Sequence, residues 1–143
     1  MKPFVHKSFI GDFFDVLQAG GGKAEPGKNA AFTFGGTKRQ EAVISIVSGN
    51  FDIPEIPEFV SSLDKLPTGL VKLIVLDMSR VRWFSANAVG VLVNFAASVE
   101  GRGKRLILYR PSTTVIQSLH SLALTHLFEI QHTEEELLLD LPD

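Results

Sequence analysis

Short blocks of hydrophobic residues, separated by polar turns, run along most of the chain and differ in their period. The block "AAFTFGGTKRQEAVISIVSG" holds two β-type runs around a polar turn that contains glycine, which predicts a hairpin. "VKLIVLDM" and "LILY" are short, apolar and rich in branched residues, as is typical of strands covered on both faces. "LFEI" indicates a further short strand. The pattern therefore predicts a sheet of several short strands.

Apolar residues at helical spacing follow the hairpin and each later strand. The stripes that they form are Phe59, Val60, Leu63 and Leu66 in a first helix, Val89, Leu92, Val93, Phe95, Ala96 and Val99 in a second helix over 86–99, and Val115, Leu119 and Leu122 in a third. Pro57 is compatible with the first turn of the first helix. Thr133 and Glu136 have the spacing of a capping box, which predicts the start of a fourth helix.

The predicted order of elements is β β α β α β α β α. Strands that alternate with helices favour a parallel sheet with the helices packed on it, and the hairpin adds an antiparallel pair. We therefore expect an α/β fold with a mixed, mainly parallel central sheet of about four to five strands and about four helices.

The first thirty residues differ in character from the rest. Residues 7–18 place Phe9, Ile10, Phe13, Phe14 and Leu17 at helical spacing, so a short amphipathic helix is expected there. Residues 19–30, rich in glycine with one proline, predict a flexible linker. The expected organisation is an N-terminal extension over 1–18, a linker over 19–30 and one domain over 31–143.

The composition excludes several classes of function. The 143 residues are 45% hydrophobic and 21% charged, which is the balance of a soluble globular domain. A net charge of −2 provides no basic field for nucleic acid, and no apolar run is long enough for membrane insertion. The chain has no cysteine, which excludes thiolate catalysis and fits a reducing compartment, so a cytoplasmic location is expected.

No cofactor or metal ion is expected from the sequence. The four histidines are scattered along the chain without the spacing of metal ligands; they are His6, His120, His126 and His132. The feature that remains is the junction "RVRWFSANAVGVL", where the polar tripeptide Ser85-Ala86-Asn87 separates a predicted strand from a predicted helix. Polar residues at such junctions of α/β domains often form functional sites.

These blocks together carry a family resemblance. The run from "KLIVLDM" through the junction, the turn "EGRGKR", the strand "LILY" and the acidic-capped last helix resembles the STAS domain of bacterial anti-sigma-factor antagonists. That family has an apolar strand ending in Asp, then roughly M-D-S-S-G-L-G at a helix start. Upstream, "VSGNFDIPEIPEF" is similar to the family's "GELDLATAPEL". The resemblance covers about residues 31–140, and its strength lies in the ordered set of motifs.

The resemblance implies a protein-binding module without enzymatic activity. In this family an anti-sigma-factor kinase phosphorylates one serine at the start of the second helix, and the phosphate disrupts the contact between the two proteins. The unphosphorylated antagonist occupies the anti-sigma factor and so sets the sigma factor free. The implied partner is therefore an anti-sigma-factor kinase or a related signalling protein, and the implied process is the regulation of transcription.

The phosphoacceptor position is occupied by a different residue in this chain. Matching Ala88-Val89-Gly90 with the family's Gly-Leu-Gly places Asn87 at the phosphoacceptor serine, Ala86 at the preceding serine and Ser85 at the aspartate. Asp52 retains the acidic residue of the upstream segment. Because asparagine has no hydroxyl group, phosphorylation at this position is not expected.

Two sets of residues follow from this match. The neighbours of the switch position are Asp52, Phe84, Ser85, Ala86, Ala88, Val89 and Gly90. The predicted partner-binding surface consists of Asn50, Asp52, Ser85, Asn87 and Val91, and Phe84 is expected near that surface.

Asn87 either mimics the unphosphorylated serine and keeps the protein competent to bind, or serves only as a cap or first-turn residue. Ser79, Ser85 and Ser112 are the alternative hydroxyls for modification, although for Ser85 a capping role is favoured.

Two other functions are weighed against the antagonist. A STAS domain without a phosphoacceptor can be a subunit of a larger assembly, such as a signalling scaffold or a transporter-associated complex, and the N-terminal segment over 1–30 favours this alternative. Self-association is left open. The segment "FIGDFFDVLQAGGGK" also resembles a metal-site segment of serine phosphatases, with Asp12 as the ligand, but it is too short to assemble such a site and no catalysis is expected.

Overall fold

The computed structural model describes residues 32–39, 42–66, 69 and 71–140. The predicted amphipathic helix over 7–18 and the predicted linker over 19–30 therefore lie outside the described residues.

The described residues form one five-stranded sheet with helices on both faces, and its strands lie in chain order from edge to edge. The strands are β1 (Phe32–Arg39), β2 (Ala42–Phe51), β3 (Leu73–Phe84), β4 (Arg105–Tyr109) and β5 (Glu129–Gln131). β1 pairs antiparallel with β2, whereas β2, β3, β4 and β5 pair in parallel. The predicted hairpin and the mixed, mainly parallel sheet are both confirmed.

In the part of the chain that the structure describes, four helices connect or follow the strands, as predicted. They are α1 (Ile56–Asp64), α2 (Ala86–Gly101), α3 (Thr113–Ser121) and α4 (Glu134–Asp140), and single 3₁₀ turns precede α1 and β5. The capping box is also confirmed: the Glu136 amide donates to Thr133 Oγ1 (3.1 Å), and the Thr133 amide donates to Glu136 Oε1 (3.3 Å). Local sequence signals thus determine where this helix begins.

The core divides between the two faces of the sheet. On one face α1, α2 and α3 bury a large apolar cluster to which the strands contribute, among others, Ile74, Leu76 and Leu108. On the other face Ile44, Val75, Ile107 and Tyr109 form a smaller cluster together with Leu137 of α4. Alternate residues of β3 and β4 therefore serve opposite faces, which explains why "VKLIVLDM" and "LILY" are apolar throughout.

Three details of the sequence interpretation need correction. The strand predicted from "VKLIVLDM" is longer, because β3 continues to Phe84. Leu122 does not belong to the buried stripe of the third helix: α3 ends at Ser121, and Leu122 is 43% exposed. Phe84, expected near the partner surface, is only 1% exposed and belongs to the core.

Candidate partner-binding site

The carboxyl ends of β2 and β3 bring the two parts of the predicted site together. Phe51 pairs with Phe84 in the parallel register, so Asp52 and Ser85 are the next residues after two adjacent strand ends. The Ser85 amide donates a hydrogen bond to the Phe51 carbonyl oxygen (3.0 Å) and fastens the two chain segments to each other. Residues that are far apart in sequence thus meet at the carboxyl ends of two adjacent parallel strands.

Ser85 is the N-cap of α2. Its hydroxyl accepts a hydrogen bond from the Ala88 amide (3.1 Å), and its carbonyl oxygen accepts the first helical bond from Val89 (3.0 Å). The capping role favoured from the sequence is confirmed. This hydroxyl is half-buried and already accepts a hydrogen bond from the helix backbone, unlike a free surface hydroxyl.

Asn87 is the second residue of α2 and is exposed. Its side chain makes no hydrogen bond with any residue that the structure describes. Capping of α2 is performed by Ser85, two residues earlier, so Asn87 is free of that task. The amide group therefore faces outward at the helix start, where the backbone amides of the first turn create a partial positive charge.

Asp52 organises the segment that leads into α1. Its Oδ1 accepts a hydrogen bond from the Ile53 amide (2.8 Å), while its own amide donates to Glu55 Oε1 (2.9 Å). This reciprocal capping box closes the 3₁₀ turn Ile53–Glu55. The carboxylate remains exposed and adds a negative charge next to the start of α2.

An aromatic cluster supports the site from below. The rings of Phe51, Phe59 and Phe84 are mutually tilted or edge-on, with centroids 4.8 to 6.0 Å apart, and all three side chains are buried. In addition, Ser118 Oγ of α3 donates to the Phe84 carbonyl oxygen (2.6 Å). Packing and hydrogen bonding on both sides hold the junction in one position, which lowers the entropic cost of presenting it to a partner.

The predicted site residues separate into a surface set and a supporting set. Asn50, Asp52, Ala86, Asn87 and Gly90 are exposed, whereas Ser85 and Val91 are half-buried. Phe84, Ala88 and Val89 are buried and hold α2 against the sheet.

Two large apolar residues next to this surface are absent from the sequence prediction. Trp83 is 53% exposed and Ile53 is 63% exposed. Trp83 pairs with Asn50 in the sheet, and Ile53 follows Asp52 directly, so both adjoin the predicted surface. Tryptophan is strongly enriched among the residues that dominate binding energy at protein interfaces.

A break in strand register explains why the sequence pattern does not predict an exposed Trp83. Gly49 pairs with Val81 and Asn50 pairs with Trp83, so Arg82 is an extra residue in β3. Gly49 has φ +109°, a backbone conformation that favours glycine and is common at such irregularities. Strict alternation is lost, and Arg82 and Trp83 are both exposed. The glycine in "VSGNF" was the one local signal for this irregularity.

The other two candidate hydroxyls also have partners. Ser112 Oγ accepts from the Val115 amide at the start of α3 (3.4 Å). Ser79 Oγ donates to Asp77 Oδ1 (2.8 Å), which also accepts from the Ser79 amide (2.9 Å). Both serines are half-buried, so neither presents a free surface hydroxyl.

Asp77 is a buried carboxyl group beneath this edge of the sheet. Its side chain is fully buried, and Oδ2 has no hydrogen-bond partner among the described residues. Burial raises the pKa of Asp77, although the hydrogen bonds from Ser79 and the nearby Arg110 and Arg80 act in the opposite direction. Tyr109 of β4 pairs with Asp77 in the sheet. Burial also raises the pKa of the Tyr109 hydroxyl.

Neither metal-binding nor membrane-spanning features occur in the described part of the chain. Its His, Asp and Glu side chains form no group of three that could hold a metal ion. None of the helices described above combines the length and apolarity needed to cross a bilayer.

Comparison with known proteins identifies the fold. The family model of the STAS domain matches residues 37–137. The unphosphorylated form of the anti-sigma factor antagonist SpoIIAA is 22% identical and has a TM-score of 0.58, covering 75% of this chain and 92% of its own. The phosphorylated form of the Bacillus cell fate determinant SpoIIAA gives 22% identity and a TM-score of 0.55, with coverages of 75% and 96%.

An anti-sigma factor antagonist from Mycobacterium paratuberculosis is 19% identical, with a TM-score of 0.55 and coverages of 78% of this chain and 95% of its own. At such identities the likeness to the solved structures is one of fold. No curated protein sequence matches the chain significantly.

Proposed function

The chain belongs to the STAS domain family, and from that membership we propose that it is a non-enzymatic, cytoplasmic protein-binding module that acts as an anti-sigma-factor antagonist. Its partner is an anti-sigma-factor kinase or a related signalling protein, and binding regulates transcription by setting a sigma factor free. The observation that carries this proposal is the match of the STAS family model to residues 37–137, and the exposed Asn87 at the start of α2, next to Asp52, is the proposed centre of the contact.

The binding surface consists of Asn50, Asp52, Ser85, Asn87 and Val91. Solved antagonist structures include SpoIIAA in an unphosphorylated and a phosphorylated form. Asn87 offers no hydroxyl, and a neutral amide at this place resembles an unphosphorylated serine in charge and polarity. The proposed module is therefore permanently competent to bind, because phosphorylation at this position does not switch it off.

The test introduces a negative charge at the surface. The Asn87→Asp variant is expected to lose at least roughly tenfold in affinity for the anti-sigma-factor kinase of the same cell, since the charge imitates part of the effect of a phosphate. Gln117→Glu places the same charge at an exposed residue of α3, outside the proposed binding surface, and is the control. Isothermal titration calorimetry with the purified partner measures both.

A third variant examines the apolar part of the surface. Trp83→Ala is expected to weaken binding by about 2 kcal/mol if the indole ring is an anchor of the interface. Equal affinity of the wild type, Asn87→Asp and Trp83→Ala would show that the junction is not the contact. Absence of binding to every anti-sigma-factor kinase of the cell would refute the antagonist proposal and favour a subunit of a larger assembly.

A further inference from the structure

A groove lies between α1 and α2, away from the junction. Its volume is about 360 Å³. Leu63, Ile74 and Val99 form a buried apolar floor, and Val60, Val91 and Phe95 form the walls. Val60 is 39% exposed, while Val91 and Phe95 are half-buried. Apolar side chains from two neighbouring helices thus line a concave surface, which is typical of protein interaction sites.

The exposed face of α2 beside this groove carries almost no charge. The only charged residue of the helix is Glu100, in its last turn. The exposed residues before it are small or neutral; they are Ala86, Asn87, Gly90, Asn94, Ala97 and Ser98. A solvent-facing helix surface usually carries charged residues, whereas depletion of charge marks the core of a protein interface.

Two opposite charges lie at one end of the groove. Asp64 is the last residue of α1 and Arg102 is the C-cap of α2, and both line the groove. Both side chains are exposed, and neither makes an ion pair with any residue that the structure describes. α1 and α2 each run back from the carboxyl end of a parallel strand, so their C-terminal ends lie on the same side of the molecule.

This arrangement of charges is self-complementary. In a contact with two-fold symmetry, every pairing of two residues occurs twice with the roles exchanged. Asp64 of one copy then faces Arg102 of the other, and Arg102 faces Asp64, so both charges are paired. We propose that the α1–α2 groove is the interface of a symmetric homodimer, in which Asp64 and Arg102 form two reciprocal ion pairs beside an apolar contact.

The expected dimer is weak. Exposed ion pairs contribute little each, and the apolar walls provide a contact of limited size, so association is expected only at high protein concentration. The proposal does not depend on the proposed function: Asp64 and Arg102 lie at the C-terminal ends of α1 and α2, whereas Asn87 lies in the first turn of α2, and the two surfaces share only Val91.

A charge exchange tests the proposal. Asp64→Arg and Arg102→Asp each place like charges opposite one another twice, and each is expected to weaken dimerisation at least roughly tenfold. The double variant Asp64→Arg/Arg102→Asp restores opposite charges and is expected to recover dimerisation. Sedimentation equilibrium of the purified full chain over a wide range of concentrations measures the association.

Two further variants complete the design. Glu135→Arg makes the same change in net charge as Asp64→Arg on α4, which packs on the opposite face of the sheet, and is expected to leave dimerisation unchanged. Val60→Asn replaces an exposed apolar side chain of the groove wall by a polar one and is expected to weaken dimerisation. A wild type that stays monomeric at the highest concentration would overturn the proposal, as would single charge variants that associate as the wild type does. Circular dichroism checks that each variant is folded.

Discussion

Ser85 and Asn87 perform two separate tasks at the start of α2. Ser85 caps the helix through its hydroxyl, which is thereby engaged with the Ala88 amide. Asn87, two residues later, is exposed and has no structural task that the described contacts reveal. The chain therefore has a hydroxyl where the helix uses a cap, and an amide at the position that the family resemblance assigns to the switch.

This division predicts a gain of function for a single substitution. In Asn87→Ser, an exposed hydroxyl appears at the proposed phosphoacceptor position, so the anti-sigma-factor kinase with ATP is expected to phosphorylate this variant and not the wild type. Ala86→Ser, at the neighbouring exposed position, is the matched control and is expected to stay unmodified. Mass spectrometry of the intact chain detects the phosphate. Modification of Ala86→Ser alone would mean that the match is displaced by one residue.

The buried carboxyl group of Asp77 leads to a prediction of how the stability of the fold depends on pH. Because burial raises the pKa of Asp77 in the folded state, the folded chain binds this proton more tightly than the unfolded chain. The stability from this group is fully present below the unfolded pKa, near 3.8, and is lost as the pH rises through the folded pKa. Asp77→Asn is neutral at all pH values, and its Oδ1 can still accept from Ser79.

We therefore expect the stability of Asp77→Asn relative to the wild type to be highest at neutral pH and to fall towards acidic pH. Urea unfolding at a series of pH values measures the difference. Glu135→Gln removes an exposed carboxylate from α4 and serves as the control. An advantage of Asp77→Asn that grows on acidification would contradict the sign derived from burial.

At the scale of elements, α2 contains a glycine that intramolecular packing does not require. A Cβ added at Gly90 would meet no atom within 4 Å, although glycine inside a helix costs about 1 kcal/mol relative to alanine. Gly90 is exposed and lies three residues after Asn87, on the same side of the helix. A partner that approaches the backbone of α2 closely would account for a glycine at this position.

Gly90→Ala is accordingly expected to stabilise the fold by about 1 kcal/mol and, at the same time, to weaken binding of the proposed partner. Gly101→Ala is the matched control, because its added Cβ also meets open space but lies at the far end of α2. Thermal unfolding and calorimetric titration separate the two effects. If Gly90→Ala binds as well as Gly101→Ala, the second turn of α2 is not part of the interface.

At the scale of the whole molecule, local patterns were sufficient to predict most of the architecture. The order of strands and helices, the mainly parallel sheet and the capping box at Thr133 all follow from periodicity and short-range signals. These signals work because each element buries a face whose spacing is set by its own backbone geometry. The apolar spacing places Leu122 on the stripe of the third helix, although α3 ends at Ser121 and the chain turns at Ala123, with φ +58°.

The sequence by itself determined that position 87 has no hydroxyl, that a cap is available at Ser85 and that apolar strands alternate with helices. Only the tertiary structure decided which side chains of the site are exposed. The parallel register of β2 and β3 brings Asp52 next to Ser85, and the extra residue Arg82 turns Trp83 outward while Phe84 enters the core. Such pairings depend on contacts between distant segments, whereas periodicity within one segment reports only on that segment's own faces.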